Sequence, residues 1–149
     1  MKVIFLDVDN VLNTIHTTRR IFGYTFVDTR KLLRLRDIIE RTGAKIVLSS
    51  TWRIADTPMN QLCRDRLKEE FERVRCPVWV DTTPHLPGRK RQVEIYEWLL
   101  HHEPLESFVI IDDWEKELHW YKENLVVTTP TQGLTKERAE LAIKILNEV

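Results

Sequence analysis

The chain has 149 residues, 42% of them hydrophobic and 31% charged, with 23 basic side chains against 23 acidic ones. That length and apolar content suit one folded domain with a buried core. Zero formal net charge excludes a whole-protein field that gathers nucleic acid or anionic lipid, so any polyanion site must be local.

Val3-Ile4-Phe5-Leu6 is a continuous apolar run, the pattern of a parallel strand buried on both faces, and it ends at Asp7. It is too short for a signal-peptide core, and no stretch approaches membrane-spanning length. Residues 14–27 show no clear period; Phe22-Gly23-Tyr24-Thr25-Phe26 reads as a small hairpin or lid. Asp28 is placed to cap a helix carrying Leu32, Leu35, Ile38 and Ile39 on one side, stopped by Gly43. Lys45-Ile46-Val47-Leu48 is the second strand and runs into Ser49-Ser50-Thr51. Thr57-Pro58 opens a helix with Leu62, Leu67, Phe71 and Val74. Val78-Trp79-Val80 is a third short strand. Residues 91–102 form a helix with Val93, Tyr96, Leu99 and Leu100 inward, ended by Pro104. Phe108-Val109-Ile110-Ile111 is the fourth strand, ending at Asp112-Asp113; Leu125-Val126-Val127 is the fifth. Thr135 caps a last helix reaching Val149. Cys63 and Cys76 make no disulfide framework and have no metal-site spacing, which suits reduced thiols in a cytoplasmic protein.

Strands alternating with helices predict a three-layer α/β fold around a parallel sheet with right-handed crossovers. Open sheets of this kind place their sites at the carboxyl ends of strands. Four features fall there or close by: Asp7-Val8-Asp9, Ser49-Ser50, Lys90 before a helix, and Asp112-Asp113. Carboxylates crowded into one crevice repel unless a cation sits among them. Oxygen ligands without His or Cys favour Mg²⁺ over zinc.

Asp7-Val8-Asp9-Asn10-Val11-Leu12-Asn13 resembles the DxDx[VT][LV] first motif of the haloacid dehalogenase (HAD) superfamily. Leu48-Ser49-Ser50-Thr51-Trp52 resembles its second motif, Gly88-Arg89-Lys90 its third, and Ile110-Ile111-Asp112-Asp113 its fourth. The ordered set is more specific than any member, and it spans nearly the whole chain. The string Leu48-Ser49-Ser50-Thr51-Trp52-Arg53, with Glu97-Trp98-Leu99 ahead of the fourth motif, is similar to a small HAD subgroup associated with RNA-repair proteins and phages.

The resemblance implies a Rossmann-like sheet in the order 5-4-1-2-3 with a minimal cap or none. It implies hydrolysis of a phosphomonoester through an aspartyl-phosphate on Asp7. Asp9 then protonates the leaving oxygen and activates water. It gives Mg²⁺ to Asp7, Asp113 and the backbone carbonyl of Asp9, with Asp112 holding a metal-bound water. Ser50, favoured over Ser49, and Lys90 would contact the phosphoryl group, with Asn10, Ser49, Thr51, Trp52 and Arg53 lining the substrate site. Asn10 stands where the family usually has Gly, and Asn is the next most tolerant of a left-handed backbone.

Plainer readings stand beside these. Asp7 and Asp9 are common strand-end turn residues, Asp112-Asp113 are placed to cap a helix starting at Trp114, and Arg89 or Arg91 competes with Lys90 for the basic role. The segment between Asn13 and Asp28 is too short for a closed cap. An open site suits a large substrate: a nucleic-acid terminus or a phosphoprotein, with a nucleotide or small metabolite as the alternative, and an idle phosphate-binding module as the rival outside enzymes. Trp52 and Trp114, each directly after a motif, are placed to stack on a base, and Arg19, Arg20 and Arg53 to meet a second phosphate. No membrane partner is expected, and the chain is taken as a monomer.

Overall fold

Lys2–Leu6 forms β1, and Val3 to Leu6 are completely inaccessible, as a strand covered on both faces must be. In this computed structural model, which describes residues 1–148, β1 is the middle of a five-stranded parallel sheet. After β1 come a hairpin of β2 (Arg20–Ile21) and β3 (Tyr24–Thr25), α1 (Thr29–Thr42), β4 (Lys45–Leu48) and α2 (Pro58–Arg73). The chain continues through β5 (Asp81–Thr82), α3 (Arg91–Leu100), β6 (Ser107–Asp112), β7 (Leu125–Val127) and α4 (Lys136–Asn147). The sheet order is β5-β4-β1-β6-β7, and β2 pairs only with β3. With the hairpin strands set aside, the sheet reads 5-4-1-2-3.

Strand alternation divides the core in two. Ile4, Leu6, Ile46, Leu48, Val109 and Ile111 pack against α1, α2 and α4. Val3, Phe5, Val47, Ile110 and Leu125 face the other way, onto Ile95 and Trp98 of α3. Phe5 meets Trp98 edge-on at 5.4 Å between ring centroids and Phe108 at 5.7 Å. Truncating a phenylalanine so enclosed costs about 3–5 kcal/mol.

Helix ends follow local chemistry. Gly43 adopts φ 73° and ends α1 in the left-handed conformation. The hydroxyls of Thr57 and Thr135 accept the N–H of Asn60 and of Arg138 at the starts of α2 and α4. Asp28 stands at the N-cap position of α1 but makes no cap; its carboxylate accepts instead from the Thr17 hydroxyl at 2.8 Å, which fastens the hairpin arm.

Some strand bounds and helix faces differ from the expectation. The third strand falls at Asp81–Thr82 rather than residues 78–80, because Val47 and Leu48 pair with those two residues, while Val78 and Trp79 pack down onto the core. Helix α3 turns Arg91, Gln92, Glu94, Ile95 and Trp98 inward and leaves Tyr96 and Leu100 exposed. In α2, Cys63 is buried while Leu62 is half exposed. Helix α4 ends at Asn147; Val149 lies outside the described residues. No helix among the described residues is long and apolar enough to cross a membrane.

Candidate active site

Asp7 continues the β1 series Val3, Phe5 that faces α3, so its carboxylate emerges beneath the start of that helix. The register carries the same level across the sheet. Leu6 pairs with both Leu48 and Ile111, which brings Ser49 and Asp112 level with Asp7. Carboxylate oxygens of Asp7, Asp112 and Asp113 all lie within 4.8 Å of one another.

Arg91, the first residue of α3, balances this cluster. Its Nη1 donates to Asp112 Oδ2 at 2.6 Å and lies 3.1 Å from Asp7 Oδ2. Its guanidinium rests over the Trp114 ring at 4.9 Å, and its backbone N–H donates to Glu117 Oε1. Burial opposes the Arg91 charge, but Asp7 and Asp112 outweigh it and hold the group charged beyond its ordinary value. Burial, then the neighbouring Asp112, pushes the Asp7 carboxyl well above the usual carboxylate range, with Arg91 pulling the other way. Asp112 is raised too, chiefly by burial. One guanidinium is not enough for three acids.

The residues fit a hard divalent cation. The donor set is all oxygen, two of the acids are buried, and their ionised form lacks compensation. Asn10 supports the third: at φ 63° it bends the chain so that its Nδ2 donates to Asp113 Oδ2 at 3.0 Å.

Asp9 stands exposed at the rim with both oxygens held. Trp52 Nε1 donates to Oδ2 at 3.2 Å and Asn13 Nδ2 to Oδ1 at 3.0 Å. Asn13, itself buried, accepts the Asn10 N–H through its Oδ1 and so ties the turn to the acid it orients. An Asn four residues beyond the second Asp was the available signal for this role.

Several sequence assignments change. Lys90 is exposed and precedes α3, and Arg91 is the base that reaches the carboxylates. Ser50 is buried with its hydroxyl accepting the Trp52 backbone N–H as the cap of the turn Thr51–Arg53. The Ser49 hydroxyl is buried, level with Asp7, and without a hydrogen-bond partner among the described residues, so of the two serines it is Ser49 whose hydroxyl is uncommitted. Arg53 has no N–H group left for a substrate. It is buried, and its five N–H groups go to Thr83 O, Ser49 O, Ser50 O, Pro84 O and Glu94 Oε2. It braces the second-motif loop from below. Arg19 is likewise engaged, bonding Glu70 at 2.8 Å. Trp114 stacks on Arg91, with half its surface exposed.

Beside Asp9 opens a cleft of about 660 Å³. The first-motif loop forms its floor, the hairpin one wall, and the second-motif loop with the start of α2 the other. Thr51 and Trp52 line it; Arg53 does not.

The sequence matches, over residues 3–139, the family described as the HAD domain in Swiss Army Knife RNA repair proteins. The chain belongs to that family. It is a HAD-type domain of the hydrolase kind, with its acids at the strand ends where that fold carries its chemistry. No curated protein matches the sequence.

Proposed function

We propose that this HAD domain is a Mg²⁺-dependent phosphomonoesterase that removes phosphate from nucleic-acid ends, RNA first among them. The observation that carries this is one arrangement: a buried Asp7 that shares the Arg91 guanidinium with Asp112, beside a rim acid, Asp9, held by two N–H donors at an open cleft. The family description adds the RNA-repair setting.

Asp7 and Asp113, with the Asp9 carbonyl, would hold the Mg²⁺, and Asp112 one of its waters. The ion supplies positive charge against the phosphoryl oxygens. Arg91 shares that load from the α3 side, and Ser49 donates its unpartnered hydroxyl. A carboxylate oxygen of Asp7 attacks phosphorus in line as the ester P–O bond breaks. Asp9 gives its proton to the departing alcohol oxygen, then takes a proton from the water that attacks the aspartyl phosphate. Inorganic phosphate leaves and Asp7 is regenerated.

The test is phosphate release from RNA and DNA oligonucleotides phosphorylated at the 3′ or 5′ end, against matching mononucleotides and sugar phosphates. Mg²⁺, then excess chelator, and Asp7→Asn are the controls. The reading predicts a higher kcat/KM for at least one terminally phosphorylated oligonucleotide than for its mononucleotide, and no release with chelator or Asp7→Asn. Equal or better hydrolysis of the mononucleotide at low and moderate salt would show a nucleotidase instead. Full activity in chelator would remove the metal.

A further inference from the structure

We infer that the cleft beside Asp9 is a leaving-group subsite for a single uncharged nucleoside, with Tyr24 as its base platform. This rests on the phosphomonoesterase reading for its orientation. Asp9 lines the cleft, and Asp9 is the acid that protonates the departing oxygen, so whatever fills the cleft is what that oxygen belongs to. The volume, about 660 Å³, falls within the range of clefts that enclose small organic ligands.

Its lining selects the chemistry. Asp9 and Asp56 are the charged residues of the lining, and no Lys, Arg or His contributes to it among the described residues. A second phosphate drawn into it would meet two carboxylates. Flat or branched apolar groups form the walls: Tyr24 and Trp52, with Ile15 and Ile54. Tyr24 is 54% exposed on the two-residue strand β3, an aromatic face turned toward solvent without packing in the core. Asp56 accepts from Asn60 Nδ2 with its Oδ1 at 2.7 Å, and its other oxygen is left for a donor. A nucleoside matches this set, with a flat base for the aromatic wall, N–H or hydroxyl donors for Asp56, and no charge. A simple sugar offers no flat face. On a nucleic-acid end the subsite takes only the terminal nucleoside, because the acids keep the next phosphodiester outside, so the advantage of an oligonucleotide over its mononucleotide must come from contacts beyond the cleft.

The first measurement is calorimetric titration of adenosine and of ribose into the metal-free full chain, which reads the subsite without turnover. Adenosine is expected to bind at least about tenfold tighter than ribose, the scale of one base–aromatic stack. Tyr24→Ala should erase that preference and Tyr24→Phe should keep it. The second compares oligonucleotides carrying the terminal phosphate on a normal nucleoside, on an abasic sugar, or on a normal nucleoside next to an abasic one. Only the terminal abasic sugar should lower kcat/KM, again about tenfold. Adenosine binding no tighter than ribose, binding unchanged in Tyr24→Ala, or an equal penalty at the penultimate position overturns the subsite. If adenosine binds in a Tyr24-dependent way while no ester is hydrolysed, the phosphatase reading falls and the subsite stands. If nucleoside and ribose phosphates are hydrolysed equally, the subsite falls and the phosphatase reading stands.

Discussion

The indole Nε1 of Trp52 donates to Asp9 Oδ2 at 3.2 Å, which makes an aromatic residue of the second motif the orienting partner of the rim acid of the first. The same ring packs against Phe26 of the hairpin arm, with centroids 6.3 Å apart. Trp52 therefore joins three segments at one carboxylate, a role distinct from stacking on substrate.

Trp52→Phe keeps a ring for Phe26 and removes only the N–H. Proton transfer by a positioned acid contributes roughly 10²–10⁴-fold, and losing one of two orienting bonds should forfeit about tenfold of it. The loss should fall on kcat, with KM changed less than threefold. It should also depend on the leaving group: large for an alkyl phosphate, which needs a proton to depart, and small for an aryl phosphate. Equal losses for both esters would show that Trp52 does not act through Asp9.

Arg91 and Lys90 are neighbours, and only the loss of Arg91 is expected to matter. Arg91→Ala leaves Asp7 and Asp112 buried without their common partner, a change that costs about 3–5 kcal/mol when a buried pair is broken from one side. Turnover should fall at least about a hundredfold, by analogy with loss of one preorganised charge-stabilising donor. Arg91→Lys should recover stability better than activity, because an ammonium can stand where Nη1 meets both acids but lacks the planar group that rests over Trp114 and holds the charge in place. Lys90→Ala should stay within about twofold of wild type. Steady-state kinetics with urea unfolding separates the two losses, and a Lys90 defect as large as that of Arg91 would reverse the assignment.

Cation binding should stabilise the fold, since the three clustered acids have one guanidinium among them and it reaches only Asp7 and Asp112. At a hundredfold excess over Kd, a ligand of the folded state alone adds about 2.7 kcal/mol. For a chain of this size that is a rise of roughly 5–10 °C in Tm. Asp113→Ala should abolish most of the Mg²⁺ increment, with a smaller effect from Asp112→Ala. A Tm in Mg²⁺ equal to that in chelator would mean that the acids hold no ion.

The legible part of the molecule was the part where burial is apolar. Val3 to Leu6, the inward residues of α1 and the strand Leu125–Val127 all appear where the hydrophobic pattern puts them. The acids of the first and fourth motifs could be read because they interrupt apolar runs. Helix α3 was misread for the opposite reason: its buried face opens with Arg91, Gln92 and Glu94, so an apolar count selects the solvent side, Tyr96 and Leu100. Arg53 failed similarly, since an arginine reads as surface until its five N–H groups are seen to meet carbonyls and a buried glutamate. The choice between Ser49 and Ser50 rests on which hydroxyl caps the next turn, and no periodicity records that.

Glu70 gives a pH-dependent test of how the cleft is held together. Only 6% exposed, it accepts from Arg73 Nη2 at 2.6 Å and from Arg19 Nη1 at 2.8 Å. Arg19 also donates to Val27 O and lies over the Phe26 ring, so Glu70 fastens α2 to the arm that carries the hairpin, the two walls of the cleft. The Arg73 hydrogen bond, with Arg19 adding to it against the opposing effect of burial, lowers the Glu70 carboxyl to about 2. For an acid lowered on folding, the stabilisation is full above its unfolded pKa, near 4.5, and is lost as pH falls through about 2. At 1.36 kcal/mol per unit the upper bound is about 3 kcal/mol, and the two partly exposed arginines reduce it to roughly 1–2. Glu70→Gln should therefore unfold in less urea at pH 7 by that margin. The gap to wild type should narrow as pH drops from 5 toward 3, because wild type begins to lose what the variant never had. Loosened walls should also raise KM for nucleoside-bearing substrates while leaving kcat within about twofold. A stability gap constant from pH 7 to 3 would show that the glutamate charge does not fasten the arm, and an unchanged KM would show that the arm does not shape the cleft.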